Sequence, residues 1–221
     1  PAFQVGDAPL ALLQAGLLQR LQDADRTWIP RAEPLPDGGI RYLYKRRAGD
    51  PELTIPQIKA LMARPPSHAE DRQAIVALLT ALDRVGASVD LIEPIKTGAA
   101  AEWDPQARLL RIRPDVPDQG SVEFLRVLNH EAIHVAQSCA AGGVGANPQP
   151  LGLALASSDA VAAGRDSTAR QIVAHPLDDP VYADLSPRER RMEQEAYSLQ
   201  NRVGIGTALL RIHCLNGRPG V

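Results

Sequence analysis

His130-Glu131-Ala132-Ile133-His134 sets two imidazoles four residues apart, with a carboxylate directly after the first. On an α-helix such residues lie about 40° apart around the axis and one turn apart along it, so both rings can grip one ion from a single rigid element. Two histidines in this arrangement suit Zn2+. A zinc site that does chemistry keeps one position for water, whose pKa falls towards about 7. Glu131 falls beside that open position, where a carboxylate can take a proton from the water and later hand it to a leaving amine. The expected chemistry is hydrolysis, with His130 and His134 as ligands and Glu131 as general base.

These residues need a helix to position them. Phe124, Leu125, Leu128, Ala132 and Val135 recur at three- and four-residue intervals, which predicts a helix with a buried stripe from an N-cap at Ser121 to about Ala140. Gly142, Gly143, Gly145 and Pro148 then break the pattern. A zinc site also needs a third protein ligand. The long metzincin pattern would put glycine at 137 and histidine at 140, where this chain has Gln137 and Ala140. Ser186-Pro187-Arg188-Glu189 combines an N-cap serine, a proline at the first helical position and a capping-box glutamate, and predicts a later helix reaching Val203 and stopping at Gly204.

That later helix carries Glu193 and Glu195. Met192, Ala196, Leu199 and Val203 define its apolar stripe, and the two glutamates flank the stripe on opposite sides, so periodicity leaves the choice between them open. Tyr197, one turn after Glu193, can donate to a developing oxyanion or cap the edge of a core. His175 is an alternative ligand, His213 a candidate electrophilic donor, and Gln137 a candidate for orienting the site, while His68 has no supporting context. Cys139 falls off the metal-binding face; it either packs as a thiol or pairs with Cys214, which would tie the motif helix to the C-terminal region.

The stretch Leu128 to Gln137, followed by Glu193-Gln194-Glu195-Ala196 on a later helix, resembles the small gluzincin metallopeptidases. The resemblance implies zinc as cofactor, Glu193 as the third ligand and Ala196 as the small residue that lets the two helices approach. Tyr197 stands where that family commonly has aspartate. It further implies a zincin-like α+β fold, with a small sheet on the active-site helix, and a peptide or protein substrate bound as an added strand beside that sheet. A metal-binding domain of the same fold without catalysis, serving as a sensor or interaction module, is the rival reading; a structural domain with a chance motif is the other.

The remaining elements read as scaffold. Leu10, Leu13, Leu17, Leu18 and Leu21 predict a first amphipathic helix over 8–25, and a half-buried strand over 39–45 follows a Pro-Asp-Gly-Gly turn. Short and longer helices are expected over 54–63 and 68–85, then a strand at 89–92 and a hairpin within 100–113. Residues 141–184 read as a long excursion with one or two short helices, either lid or plug. With 221 residues the expectation is one domain, in which 1–117 supply helices and a small sheet and 118–221 the metal-site helices. A net charge of -2 without a dense basic cluster argues against nucleic acid as main partner. No apolar stretch is long enough to span a bilayer. The start at Pro1 without Met is consistent with a processed, exported chain, and localisation stays open.

Overall fold

The motif helix forms the spine on which the rest is assembled. In the computed structural model, which describes Leu12 and residues 15–47, 50–156, 172–173, 177 and 182–215, the architecture is α+β with small sheets. Helix α1 (Leu17–Arg26) buries Leu17, Leu21 and Ala24. It leads to an antiparallel pair, β1 (Arg31–Pro34) and β2 (Ile40–Leu43), in register Arg31 with Leu43. The strand expected over 39–45 forms over Ile40–Leu43, but its first apolar residue, Ile40, is 59% exposed: among the described residues nothing forms a third layer over that face of the two-stranded ribbon. Helix α2 (Ile55–Ala63) starts with a full capping box between Thr54 and Gln57. Helix α3 (Ala69–Val85) buries Ile75, Leu78, Leu79, Leu82 and Val85, and Gly86 in the left-handed conformation ends it.

Three strands form the main sheet: β3 (Ser88–Leu91), β4 (Ala101–Asp104) and β5 (Leu109–Ile112). β5 is central, parallel to β3 and antiparallel to β4, so β4 is an edge strand. A 3-10 turn, Val116–Gln119, delivers the chain to α4 (Ser121–Ala140), the motif helix. Helices α5 (Pro187–Leu199) and α6 (Ile205–Leu210) follow, the latter continued by a π-helical turn at Arg211–Leu215. A short parallel pair, β6 (Leu155–Ala156) and β7 (Ile172–Val173), lies within the excursion over 141–184; most of the segment between and after these strands, where the short helices are expected, lies outside the described residues.

α4 packs against α3, α5, α6 and β4. Its stripe of Phe124, Leu125, Leu128, Ala132 and Val135 is buried in one core with Leu79, Leu82, Leu110, Ile112, Ala196, Leu199 and Leu210. Two boundaries differ from expectation. Gly120 rather than Ser121 precedes the first helical residue, and the cap comes from α1: Asp25 accepts from the Ser121 amide at 2.7 Å and its hydroxyl at 2.6 Å. The later helix ends at Leu199, one turn before Val203. There the Asn129 amide nitrogen on α4 captures the carbonyls of Gln200 and Arg202, and left-handed Gly204 opens α6 instead of closing α5. Cys139 and Cys214 form a disulfide that joins the end of α4 to the π-helical turn.

Candidate metal centre

One turn of α4 places His130 and His134 side by side, and α5 lies across them. The two Nε2 atoms are 3.2 Å apart. Glu193 approaches from α5 with one carboxylate oxygen 3.3 Å from His130 Nε2 and the other 3.7 Å from His134 Nε2. Among the described residues these three form a group whose ligating atoms all lie within 4.8 Å of one another, a group that could hold a metal ion. Each side chain is largely but not wholly enclosed, at 12%, 12% and 21% exposure, so the cluster meets solvent on one side only.

The outer nitrogens of both rings are engaged. His130 Nδ1 faces Gln200 Oε1 at 3.0 Å, and His134 Nδ1 faces Gln137 Oε1 at 2.8 Å. An amide oxygen only accepts, so in this arrangement each Nδ1 carries a proton and Nε2 is the nitrogen turned to the cluster. Two imidazole nitrogens and a carboxylate aimed at one point need a positive charge between them, supplied by protons on the rings or by a metal cation. Glu193 shows the same bias. Burial alone would raise its pKa, but the hydrogen bond to His130 and the charges of both histidines reverse that and hold it down to about 2.

Glu131 is 6% exposed on the wall of the same cleft. Burial pushes its carboxyl up to about 7, with His134 pulling against that and the Glu193 charge adding to it. A carboxyl poised near neutrality beside a group that could hold a metal ion can both take up and release a proton. The cleft has a volume of about 700 Å³ and runs between the edge strand β4 with the loop before it, on one side, and α5 on the other. Trp103 on β4 donates its indole N–H to Ser138 on α4 at 3.0 Å, fastening that edge to the motif helix.

Tyr197 lines the cleft, its ring 4.6 Å from that of His130 in an edge-on arrangement, and its hydroxyl bonds that of Tyr182. Burial, and then that bond, push the phenol pKa up, so Tyr197 is protonated across the neutral range and able to donate. Glu195, the rival for the third ligand, is fully buried on another side of α5 and accepts from Gln137 and from the amides of Leu151, Gly152 and Leu153. Ala196 is fully buried between the helices. His68 pairs with Asp71 at the start of α3, and His213 lies in the π-helical turn outside the cluster. His175 falls outside the described residues.

Sequence reasoning missed Gln200, Asn129 and Tyr182. Gln200 could have been found, since Glu193, Tyr197 and Gln200 follow the 0, 4, 7 spacing of one helix face. Asn129 and Tyr182 leave no such signal, because only tertiary structure brings the carbonyls to the one and Tyr197 to the other. Comparison of the chain with models of known protein families, with curated proteins and with solved structures gives no match to any of them.

Proposed function

We propose that this chain is a zinc-dependent hydrolase, a metallopeptidase of zincin-like fold, in which His130, His134 and Glu193 hold the ion and Glu131 is the general base. The observation that carries the reading is the spacing of the ligand atoms. Tetrahedral zinc with bonds of about 2.0–2.1 Å keeps its ligand atoms about 3.3–3.4 Å apart. The two nitrogens here are 3.2 Å apart and stand 3.3 and 3.7 Å from the two different oxygens of Glu193, and one atom from each residue lies within 4.8 Å of the others, close enough to draw in around one ion. Two imidazoles and one carboxylate, with the fourth side turned to a cleft, are a donor set for zinc that does chemistry. Zinc so held supplies a Lewis acid that polarises a carbonyl and lowers the pKa of water into the neutral range.

The protein's own groups supply the rest. Glu131 accepts the proton of the attacking water and returns it to the leaving nitrogen, a role that its place on the cleft wall beside the three ligands allows. Tyr197, kept protonated, donates to the oxygen that becomes negative as the carbonyl is attacked. β4 borders the cleft and has no second strand partner among the described residues, so an extended peptide can add to it and reach the metal-ligand cluster. A peptide or protein is therefore the proposed substrate.

Wild type and Glu131→Gln, each loaded with one equivalent of zinc, are to be compared on a mixed peptide library read by mass spectrometry. Zinc retained by both with cleavage only by wild type supports the mechanism; cleavage surviving in Glu131→Gln refutes it. Zinc bound by both with no cleavage by wild type favours a metal-binding module without catalysis.

A further inference from the structure

We propose that Glu195 is a positioning residue for the metal centre, acting through Gln137 to fix which nitrogen of His134 carries the proton. The proposal rests on the reading of His130, His134 and Glu193 as metal ligands, and it identifies what orients one of them. A neutral imidazole can protonate either nitrogen, and only the form with Nε2 bare can donate that atom to an ion. Gln137 sits against Nδ1, but an amide is ambiguous by itself: its oxygen would demand a proton on Nδ1, whereas its nitrogen would demand that Nδ1 be bare and move the proton to Nε2.

The surroundings of Gln137 remove the ambiguity. Its Nε2 lies 3.0 Å from a Glu195 oxygen and 3.2 Å from the Met192 carbonyl oxygen, and both of these accept. The amino group must face them, so the amide oxygen faces His134 at 2.8 Å and Nδ1 must be N–H. Glu195 is in turn fixed as an acceptor. Consecutive amides of Leu151, Gly152 and Leu153 donate to its two oxygens at 2.8, 3.0 and 3.1 Å, and Gly152 at φ +74° allows the turn that aims all three at one carboxylate. Arg191, one turn earlier on α5, stands 3.7 Å from the same carboxylate and donates to the Leu153 carbonyl. With four N–H groups directed at it and no exposure, Glu195 can only receive.

The direction of donation thus runs from His134 Nδ1 to Gln137 and from Gln137 to Glu195, where it ends, because the strap 151–153 donates to the same carboxylate. A buried carboxylate two residues after a ligand, yet turned away from the ion, is explained by this role. Reversing the polarity at any point leaves the proton on the nitrogen that zinc needs.

Two readouts test it: nitrogen-15 NMR of the zinc-free protein, which reports the protonated nitrogen of His134, and zinc affinity by competition with a chromophoric chelator. Gln137→Met removes the link while leaving Glu195 its three backbone donors. The expected result is loss of the Nδ1–H form and weakening of zinc binding by about 10- to 100-fold. Glu195→Gln puts an amino group against amides that need acceptors, and should weaken zinc binding similarly. The exchange Gln137→Glu with Glu195→Gln restores the direction: the new carboxylate at 137 accepts from Nδ1–H and from the new amide at 195. Affinity should rise above that of Glu195→Gln, with the Nδ1–H signature, but stay below wild type, because the strap has lost an acceptor and the new carboxylate at 137 faces the Met192 carbonyl oxygen. Wild-type zinc affinity and an Nδ1–H ring in Gln137→Met overturn the proposal, as does an exchange variant no better than Glu195→Gln. If Glu195→Gln does not fold, Gln137→Met decides alone. Wild type that binds no zinc overturns the metal-centre reading and this proposal with it, whereas equal binding by wild type and Gln137→Met overturns this proposal only.

Discussion

Replacing Asp25 by alanine tests how the motif helix is held in place. Asp25 stands 96 residues before Ser121, yet one of its oxygens accepts from the Ser121 amide and the other from the Ser121 hydroxyl and from Arg72 at 2.6 Å. The side chains of Asp25 and Arg72 are 10% and 18% exposed. Removing one partner of a buried ion pair costs about 3–5 kcal/mol, because the other charge is left behind. Residual exposure, and the bond Arg72 keeps to the Ser67 carbonyl, place this pair at the lower end. Loss of a helix cap adds about 0.5–2 kcal/mol. Asp25→Ala should therefore cost about 3–5 kcal/mol, which for a chain of 221 residues is a fall in Tm of roughly 6–20 °C. Urea unfolding of the zinc-free protein measures it. Arg72→Met added to Asp25→Ala should cost little more, since it removes the orphaned charge. A loss below about 1 kcal/mol for Asp25→Ala, or additive losses in the double variant, refutes the reasoning.

Zinc at about a thousandfold its Kd should add about 4 kcal/mol, a rise in Tm of roughly 8–16 °C by calorimetry that Glu193→Ala largely abolishes. Gly206→Ala would place its new carbon 2.9 Å from both Asn129 Oδ1 and Leu78 Cδ2, and should cost about 1–3 kcal/mol in urea unfolding; a neutral outcome would show that Asn129 is not the constraint that ends α5. Glu131 offers a pH test in metal-free protein. Its folded pKa of about 7 lies above the ordinary 4.5, so the folded state holds the proton more tightly, and stability falls as pH rises from about 4.5 to about 7. Glu131→Gln should escape that fall, and its stability relative to wild type should rise by roughly 3 kcal/mol between pH 4 and pH 8; a difference independent of pH would refute the burial argument.

The motif helix was legible because its signals are local. Its apolar stripe, its two histidines and the glycines after it all depend on neighbours within a few turns, as does the Ser186 capping box, whereas the capping box between Thr54 and Gln57, equally local, was not read. Where the reading differed, the deciding contact came from far along the chain. Ser121 reads as a cap by residue type, but Asp25 reaches its amide first and Ser121 becomes the first helical residue. Val203 continues the stripe of α5, yet Asn129, 73 residues away from Arg202, takes the carbonyls that another turn would need. The exposure of Ile40 has the same origin: alternation says which side chains share a face, not whether anything covers that face.

The choice between Glu193 and Glu195 shows why helix phase alone could not settle the site. Residues two apart are about 200° apart around the axis, so whichever glutamate faces the histidines, the other is turned away from them. Periodicity describes both as flanking one stripe; only the placement of His130 and His134 against one side of α5 and of Gln137 with the strap 151–153 against another tells them apart. Glu193 then meets two imidazole nitrogens, a set that with its own carboxylate could hold a cation, and Glu195 meets four N–H donors, which call for an anion. The same side-chain type thus answers opposite electrostatic demands on two sides of one helix. If this division holds, Glu193→Gln should weaken metal binding without loosening the strap, whereas Glu195→Gln should do both. Amide hydrogen exchange at Leu151, Gly152 and Leu153 separates the two variants, and strap protection lost equally in both would mean that the metal cluster and the strap are not the separate sides described here.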